Sequence, residues 1–265
     1  MATLRAIAHV MLPPYRRSVR LITVPFSHYC EKARWALDRA RLPYVEAPHL
    51  PLLHWAATFG AGGGRTVPVL TTEDEVVADS TDIIRWADRR AAAADRLVPD
   101  DARTRGACDA LEDELDETFG PAVRRIGYSY AFAHDPLMRA LLTRTGAPRW
   151  QLATFRLTYP LARAYMTRAL AIDDHTVAPS YDVVRRTFDR VADMLRDGRR
   201  YLLGDRMSAA DLTFAALAAP MVGPAEHPFP VPAEHAPEAV QAGWREFRAH
   251  PAGAFVLRLY ADHRR

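Results

Sequence analysis

One junction near the start of the chain narrows the possible folds more than any other feature. Residues 19–24, Val-Arg-Leu-Ile-Thr-Val, are apolar and β-branched enough to read as a strand. Pro25 and Phe26 end it, and from Cys30 the apolar positions Cys30, Ala33, Ala36, Leu37 and Ala40 follow helical spacing. The tetrapeptide Ser27-His28-Tyr29-Cys30 therefore occupies a helix N-terminus directly behind a strand. There the first backbone N–H groups lack partners within the helix and the helix dipole is positive. A thiolate held beside Ser27 or Cys30 is favoured over the neutral thiol at such an end.

Two further patterns follow in order. Thr66-Val67-Pro68-Val69-Leu70 sets a proline at the start of a second apolar strand, a position that a central strand normally excludes. A cis bond at Val67-Pro68 is the expected solution. Asp79-Ser80 then precedes a segment in which Ile83, Ile84, Ala87 and Ala91 share one helical face, and Ser80 is expected to cap that helix. Far downstream, Gly204 lies in a turn before Ser208, and Asp211 stands three residues after that serine. This is a variant of the capping box in which Ser208 and Asp211 satisfy each other's backbone N–H groups. Leu212, Ala215, Ala216 and Ala219 then supply a buried face.

In this order the elements resemble the cytosolic glutathione transferase superfamily. The resemblance is close over residues 19–92 and looser beyond. It implies an α/β thioredoxin-like N-terminal domain plus an all-α C-terminal domain. The expected division is an N-terminal extension at 1–18, a thiol-binding domain at 19–92, a linker at 93–101 and a helical domain at 102–265. Asp100 or Asp101 opens the helix after the linker. Gly120-Pro121 is expected to kink or break that first helix, and Gly146-Ala147-Pro148 and Val177-Ala178-Pro179 to punctuate the later ones. Segment 227–232, His-Pro-Phe-Pro-Val-Pro, is too rich in proline to be helical and reads as an extended connection across the surface.

Composition excludes several classes of function. With 265 residues and 49% hydrophobic content, the chain can bury a sizeable core. No apolar run approaches the roughly 20 residues needed to span a bilayer. The 35 basic and 32 acidic residues are scattered, so no nucleic-acid footprint appears despite a formal charge of +3. Lys32 is the only lysine. Two cysteines, Cys30 and Cys108, make no disulfide framework, which points to a cytoplasmic protein. The ten histidines are dispersed singly and suggest no metal site.

The resemblance also assigns roles. Ser27 stands where a serine donates a hydrogen bond to the bound thiolate, with glutathione as co-substrate. Cys30 stands where the second cysteine of a C-x-x-C redox pair would lie. It reads either as a small buried hydrophobe or as a nucleophile of lowered pKa. Val67, before Pro68, is expected to pair its backbone with the cysteinyl part of the thiol peptide, and Asp79 and Ser80 to hold the γ-glutamyl end. His54 and Arg65 are the candidate cations for the glycine carboxylate. Phe119, Tyr128 and Tyr130 are candidates to line the acceptor pocket. The implied protein is a homodimeric transferase that adds glutathione to a small hydrophobic electrophile, a detoxification chemistry. A glutathione-dependent thiol-disulfide oxidoreductase using Cys30, or a binding protein of the same fold without activity, is the alternative.

Overall fold

The computed structural model describes residues 19–264. The expected N-terminal extension at 1–18 lies outside the described residues.

Strand β1 (Arg20–Thr23) is central, and Leu21, Ile22 and Thr23 are all buried because both faces of the sheet are covered. Helix α1 (His28–Arg39) carries the chain over to β2 (Val45–Pro48), which pairs parallel with β1. A short helix α2 (His54–Gly60) precedes β3 (Val69–Thr71), which runs antiparallel to β1 and joins β4 (Val76–Val77) in a hairpin. The order β2-β1-β3-β4 is the mixed sheet of a thioredoxin-like domain. The Val67-Pro68 bond is cis, as the proline before β3 suggested.

Helix α3 (Ser80–Asp88) packs beside α1. Its N-cap is Asp79, whose Oδ1 accepts from the N–H groups of Thr81 at 2.7 Å and Asp82 at 3.3 Å. The expectation that Ser80 caps this helix is thus corrected by one residue. Asp79 has the extended backbone of a cap, and its carboxylate outcompetes a hydroxyl at a positive helix end.

After residue 101 the described residues form helices and loops, apart from an isolated β-bridge between Tyr201 and Gly204. Helix α4 (Ala102–Glu114) opens on Asp101, whose carboxylate accepts from Arg103 and Thr104 N–H. It does not break at Gly120-Pro121. It passes through a π-helical turn (Leu115–Phe119) into α5 (Gly120–Ala133). Gly120 N–H donates to the Leu115 carbonyl, the i+5 pattern of a π turn. The next donor in that pattern would be residue 121, a proline without N–H. The Tyr29 hydroxyl takes its place, donating to the Asp116 carbonyl at 2.9 Å. A side chain of α1 therefore keeps a helix of the second half continuous.

Helices α6 (Asp135–Thr143), α7 (Arg149–Ala169) and α8 (Asp174–Met194) follow. Val177-Ala178-Pro179 lies inside α8 instead of punctuating it. The helix starts earlier, at the Asp173/Thr176 capping box, and the carbonyl that Pro179 leaves free belongs to the exposed His175. Helix α9 (Ala209–Val222) is apolar all round, which demands burial on every side. It packs on α1, α4, α5, α10 (Glu238–Ala249) and α11 (Pro251–His263) and forms the axis of the molecule. Asp211 holds its start, as expected: the carboxylate accepts from Ser208 N–H at 2.7 Å, from Ser208 Oγ at 2.6 Å and from Leu202 N–H at 2.8 Å.

Two buried charge clusters join the halves. Lys32 Nζ on α1 meets Asp116 at 2.6 Å, Thr81 Oγ1 at 3.1 Å and Glu112 at 4.0 Å. Near the C-terminus, Arg264 ties back to Glu31 at 2.6 Å and Asp38 at 2.8 Å, both on α1. Buried charges of this kind fix relative orientation more than they add stability.

Candidate active site

The turn between β1 and α1 is built by local hydrogen bonds. Ser27 N–H donates to the Val24 carbonyl at 2.9 Å, and the Ser27 carbonyl accepts the Glu31 N–H at 3.0 Å. Ser27 is the N-cap residue of α1, yet its side chain makes no capping hydrogen bond. Its hydroxyl is half-buried and opens onto a cavity of about 170 Å³.

Cys30, one turn on, has no solvent exposure. Burial pushes its thiol up to about 11, against opposing pulls from Arg34 and from hydrogen bonds at Val24 and Ser27. Of the two readings open for this residue, the small buried hydrophobe is the one whose environment is present.

Val67 is half-buried, and its N–H and C=O make no hydrogen bond among the described residues. Pro68 is buried at the entry to β3. Asp79 is exposed, whereas Ser80, the first residue of α3, is buried. Asp79 uses Oδ1 on Thr81 and Asp82 and leaves the Ser80 N–H at the helix end.

His54 and Arg65 are neighbours: His54 Nε2 lies 2.9 Å from the Arg65 carbonyl, and Trp55 Nε1 donates to the same oxygen at 3.0 Å. Burial lowers the His54 pKa, which disfavours the charged imidazole. Arg65 is exposed, with its guanidinium 5.5 Å from the Trp55 ring centroid.

The cavity lies between the β1–α1 turn and the helical half. Tyr128 and Tyr130 line it, as expected. Phe119 does not: it is fully buried, stacked on Phe214 with centroids 5.6 Å apart, because the π turn rotates it into the core. The Tyr130 and Tyr181 hydroxyls share a hydrogen bond of 2.7 Å. Sequence reasoning missed several lining residues: His28, Arg124, His227, Phe229 and Trp244. For α5 a signal existed, since Val123, Gly127, Tyr130 and Ala131 recur at helical spacing on one face. For the others none did. His227 and Phe229 belong to the proline-rich segment, which forms a cavity wall and so does more than cross the surface.

His28 is nearly solvent-free, and among the described residues its Nε2 has no hydrogen-bond partner. Burial first, then the nearby charges of Arg124 and Lys32, lower its pKa to about 3. Among the described residues no cluster of histidine, cysteine, aspartate or glutamate could hold a metal ion, and no helix is long and apolar enough to cross a membrane.

With this geometry in place, the chain can be compared with known proteins. Residues 21–95 match the sequence model of the glutathione S-transferase N-terminal domain. No curated protein matches the chain. Among solved structures, a glutathione S-transferase from Xanthobacter autotrophicus Py2 superposes with a TM-score of 0.58 at 14% identity, covering 92% of this chain and 93% of that one. The β-etherase LigF from Sphingobium sp. strain SYK-6 gives 0.56 at 17% identity, covering 91% of this chain and 99% of its own. A theta-class glutathione S-transferase from Xanthomonas axonopodis pv. citri, solved with glutathione bound, gives 0.53 at 18% identity, covering 91% and 97%. At these identities the structures speak for the fold, and the N-terminal match for the domain. Residues 21–95 are by their sequence match a glutathione S-transferase N-terminal domain, and the whole architecture is the two-domain fold of these glutathione transferase structures.

Proposed function

We propose that this protein binds glutathione and presents its thiolate to a hydrophobic electrophile in the cavity between the two halves. One observation carries the reading. Ser27 stands at the N-terminus of α1 with a hydroxyl not spent on capping, at the edge of an apolar cavity. A thiolate placed there would accept from Ser27 Oγ and feel the positive end of the helix, and both favour the ionised form. The free backbone of Val67 suits an extended peptide added beside β3. Ser80, at the N-terminus of α3, suits a carboxylate, and the acid Asp79 an ammonium group. Arg65 is the cation left for the glycine carboxylate.

The chemistry asked of the protein is small. The thiol proton is released, the sulfur lone pair forms a C–S bond, and in a substitution the leaving group departs with the electrons of the bond it breaks. The chain supplies orientation and a lowered thiol pKa. The buried, protonated Cys30 argues against the oxidoreductase reading. The same reading includes a cytoplasmic homodimer of two-fold symmetry, for which sedimentation as a monomer at micromolar concentration would be the refutation.

The test is capture on immobilised glutathione, followed by conjugation of the bound thiol to a panel of electrophiles. Ser27→Ala should retain binding and lose conjugation at neutral pH, with the loss recovered as pH rises. Binding without turnover on any acceptor would replace this reading by a non-catalytic binding protein. Activity that survives Ser27→Ala and vanishes in Cys30→Ser would replace it by redox chemistry.

A further inference from the structure

Among the described residues that line the cavity beside Ser27 there is no aspartate or glutamate, and Arg124, on α5, is the one arginine or lysine. Among the described residues the Arg124 guanidinium has no hydrogen bond and no ion pair. Its nearest described interaction is with the Tyr29 ring, whose centroid lies 6.0 Å from Cζ. This sets it apart from Arg34 and Arg264, which both hold the buried carboxylate of Glu31 on helix α1. A half-buried guanidinium in an apolar pocket, without a counter-charge, carries a desolvation cost that a bound anion would remove.

A second group points the same way. The His28 imidazole is 5% exposed, lines the same cavity and has an Nε2 without a partner among the described residues. As a neutral ring it can offer one N–H to an acceptor and adds no charge of its own. Apart from Ser27 and His227, the remaining described wall is mostly apolar or aromatic, including Phe229, Trp244 and Met138.

We propose that the acceptor substrate of this cavity is an aromatic or apolar carboxylic acid, its carboxylate held by Arg124 and His28 and its apolar body lying among the aromatic side chains. The inference rests on the reading of the cavity as an acceptor site and narrows it: an uncharged electrophile would leave Arg124 unpaired, whereas a carboxylate satisfies it bidentately.

The test uses two aromatic electrophiles of nearly equal shape, 4-chloro-3-nitrobenzoate and 4-chloro-3-nitrobenzamide, titrated calorimetrically without glutathione. The benzoate should bind at least about tenfold more tightly than the amide, the scale of one charge-assisted contact. Arg124→Gln should bring the benzoate down to the amide's affinity and leave the amide unchanged, and Arg124→Lys should keep part of the preference. Equal binding of the two compounds by the unaltered protein would overturn the proposal, whether or not the variants fold. So would an Arg124→Gln variant that loses affinity for glutathione while keeping the benzoate, since the arginine would then serve the thiol peptide. If the preference is present but neither compound is ever conjugated, the carboxylate site stands and the transferase reading falls.

Discussion

The thiol of Cys30 should be nearly inert in the folded protein, and the size of the effect can be worked out. With its pKa near 11, about one thiol in ten thousand is ionised at pH 7, against roughly 3% for an ordinary cysteine of pKa about 8.5. The thiolate is therefore about 300-fold scarcer. A more basic thiolate is also a better nucleophile, with a Brønsted slope of about 0.45, which returns roughly tenfold. Ionisation alone thus leaves alkylation about thirtyfold slower than in the unfolded chain. Zero exposure of the side chain adds a requirement for local opening, which lowers the rate further. The assay is a time course of iodoacetamide labelling at pH 7, read by mass spectrometry on the native protein and in denaturant. Cys108 serves as internal comparison, since burial pushes it up to about 12. Between pH 7 and 10 the rate should climb about tenfold per unit without a plateau, because the pKa lies above that window. Native labelling of Cys30 at the denatured rate, or a stable mixed disulfide with glutathione on this residue, would refute the argument and revive the redox reading.

Three further outcomes are expected. Gly120→Ala should destabilise the fold by about 1–3 kcal/mol in urea unfolding, because the added Cβ would come within 2.8 Å of Tyr29 Cζ and dislodge the hydroxyl that bridges the π turn; a change below about 0.5 kcal/mol would show the turn does not depend on it. Lys32→Met should cost about 3 kcal/mol, since Asp116 and Glu112 would keep their carboxylates without the buried ammonium between them, and adding Glu112→Gln should recover part of the loss. His28 bears on pH dependence: its pKa is about 3 folded and about 6.5 unfolded, so the unfolded chain binds the extra proton and stability is lost as pH falls from 6.5 towards 3. The slope from this one group is about 1.4 kcal/mol per pH unit, and His28→Gln should flatten the stability profile by that amount between pH 6 and 4.

Much of the architecture was legible because it is written in local chemistry. The strand, the Ser27 turn and α1 follow from β-branching, a proline and helical spacing within about twenty residues of chain. The cis Val67-Pro68 bond followed from a proline that β3 could not otherwise accept. The Ser208/Asp211 box followed from two residues three apart. Each of these is decided by groups close in sequence, so the sequence alone determined a thioredoxin-like half with a serine at a helix start and a helical half behind it.

What only the tertiary structure decided depends on residues far apart in the chain. Gly120-Pro121 reads as a kink or a break, and the Tyr29 hydroxyl, from another helix, supplies the hydrogen bond that Pro121 lacks where the chain passes through a π turn. That same turn carries Phe119 into the core and out of the pocket where it was expected. Burial, which no local pattern encodes, lowers the pKa of His54. The cavity itself is assembled from the β1–α1 turn, α5, the proline-rich segment and α10, and the isolation of Arg124 within it is a statement about which carboxylates are absent from its surroundings. Hydrogen-bonding preference and periodicity act over a few residues, but desolvation and charge pairing are fixed only when distant segments meet in space.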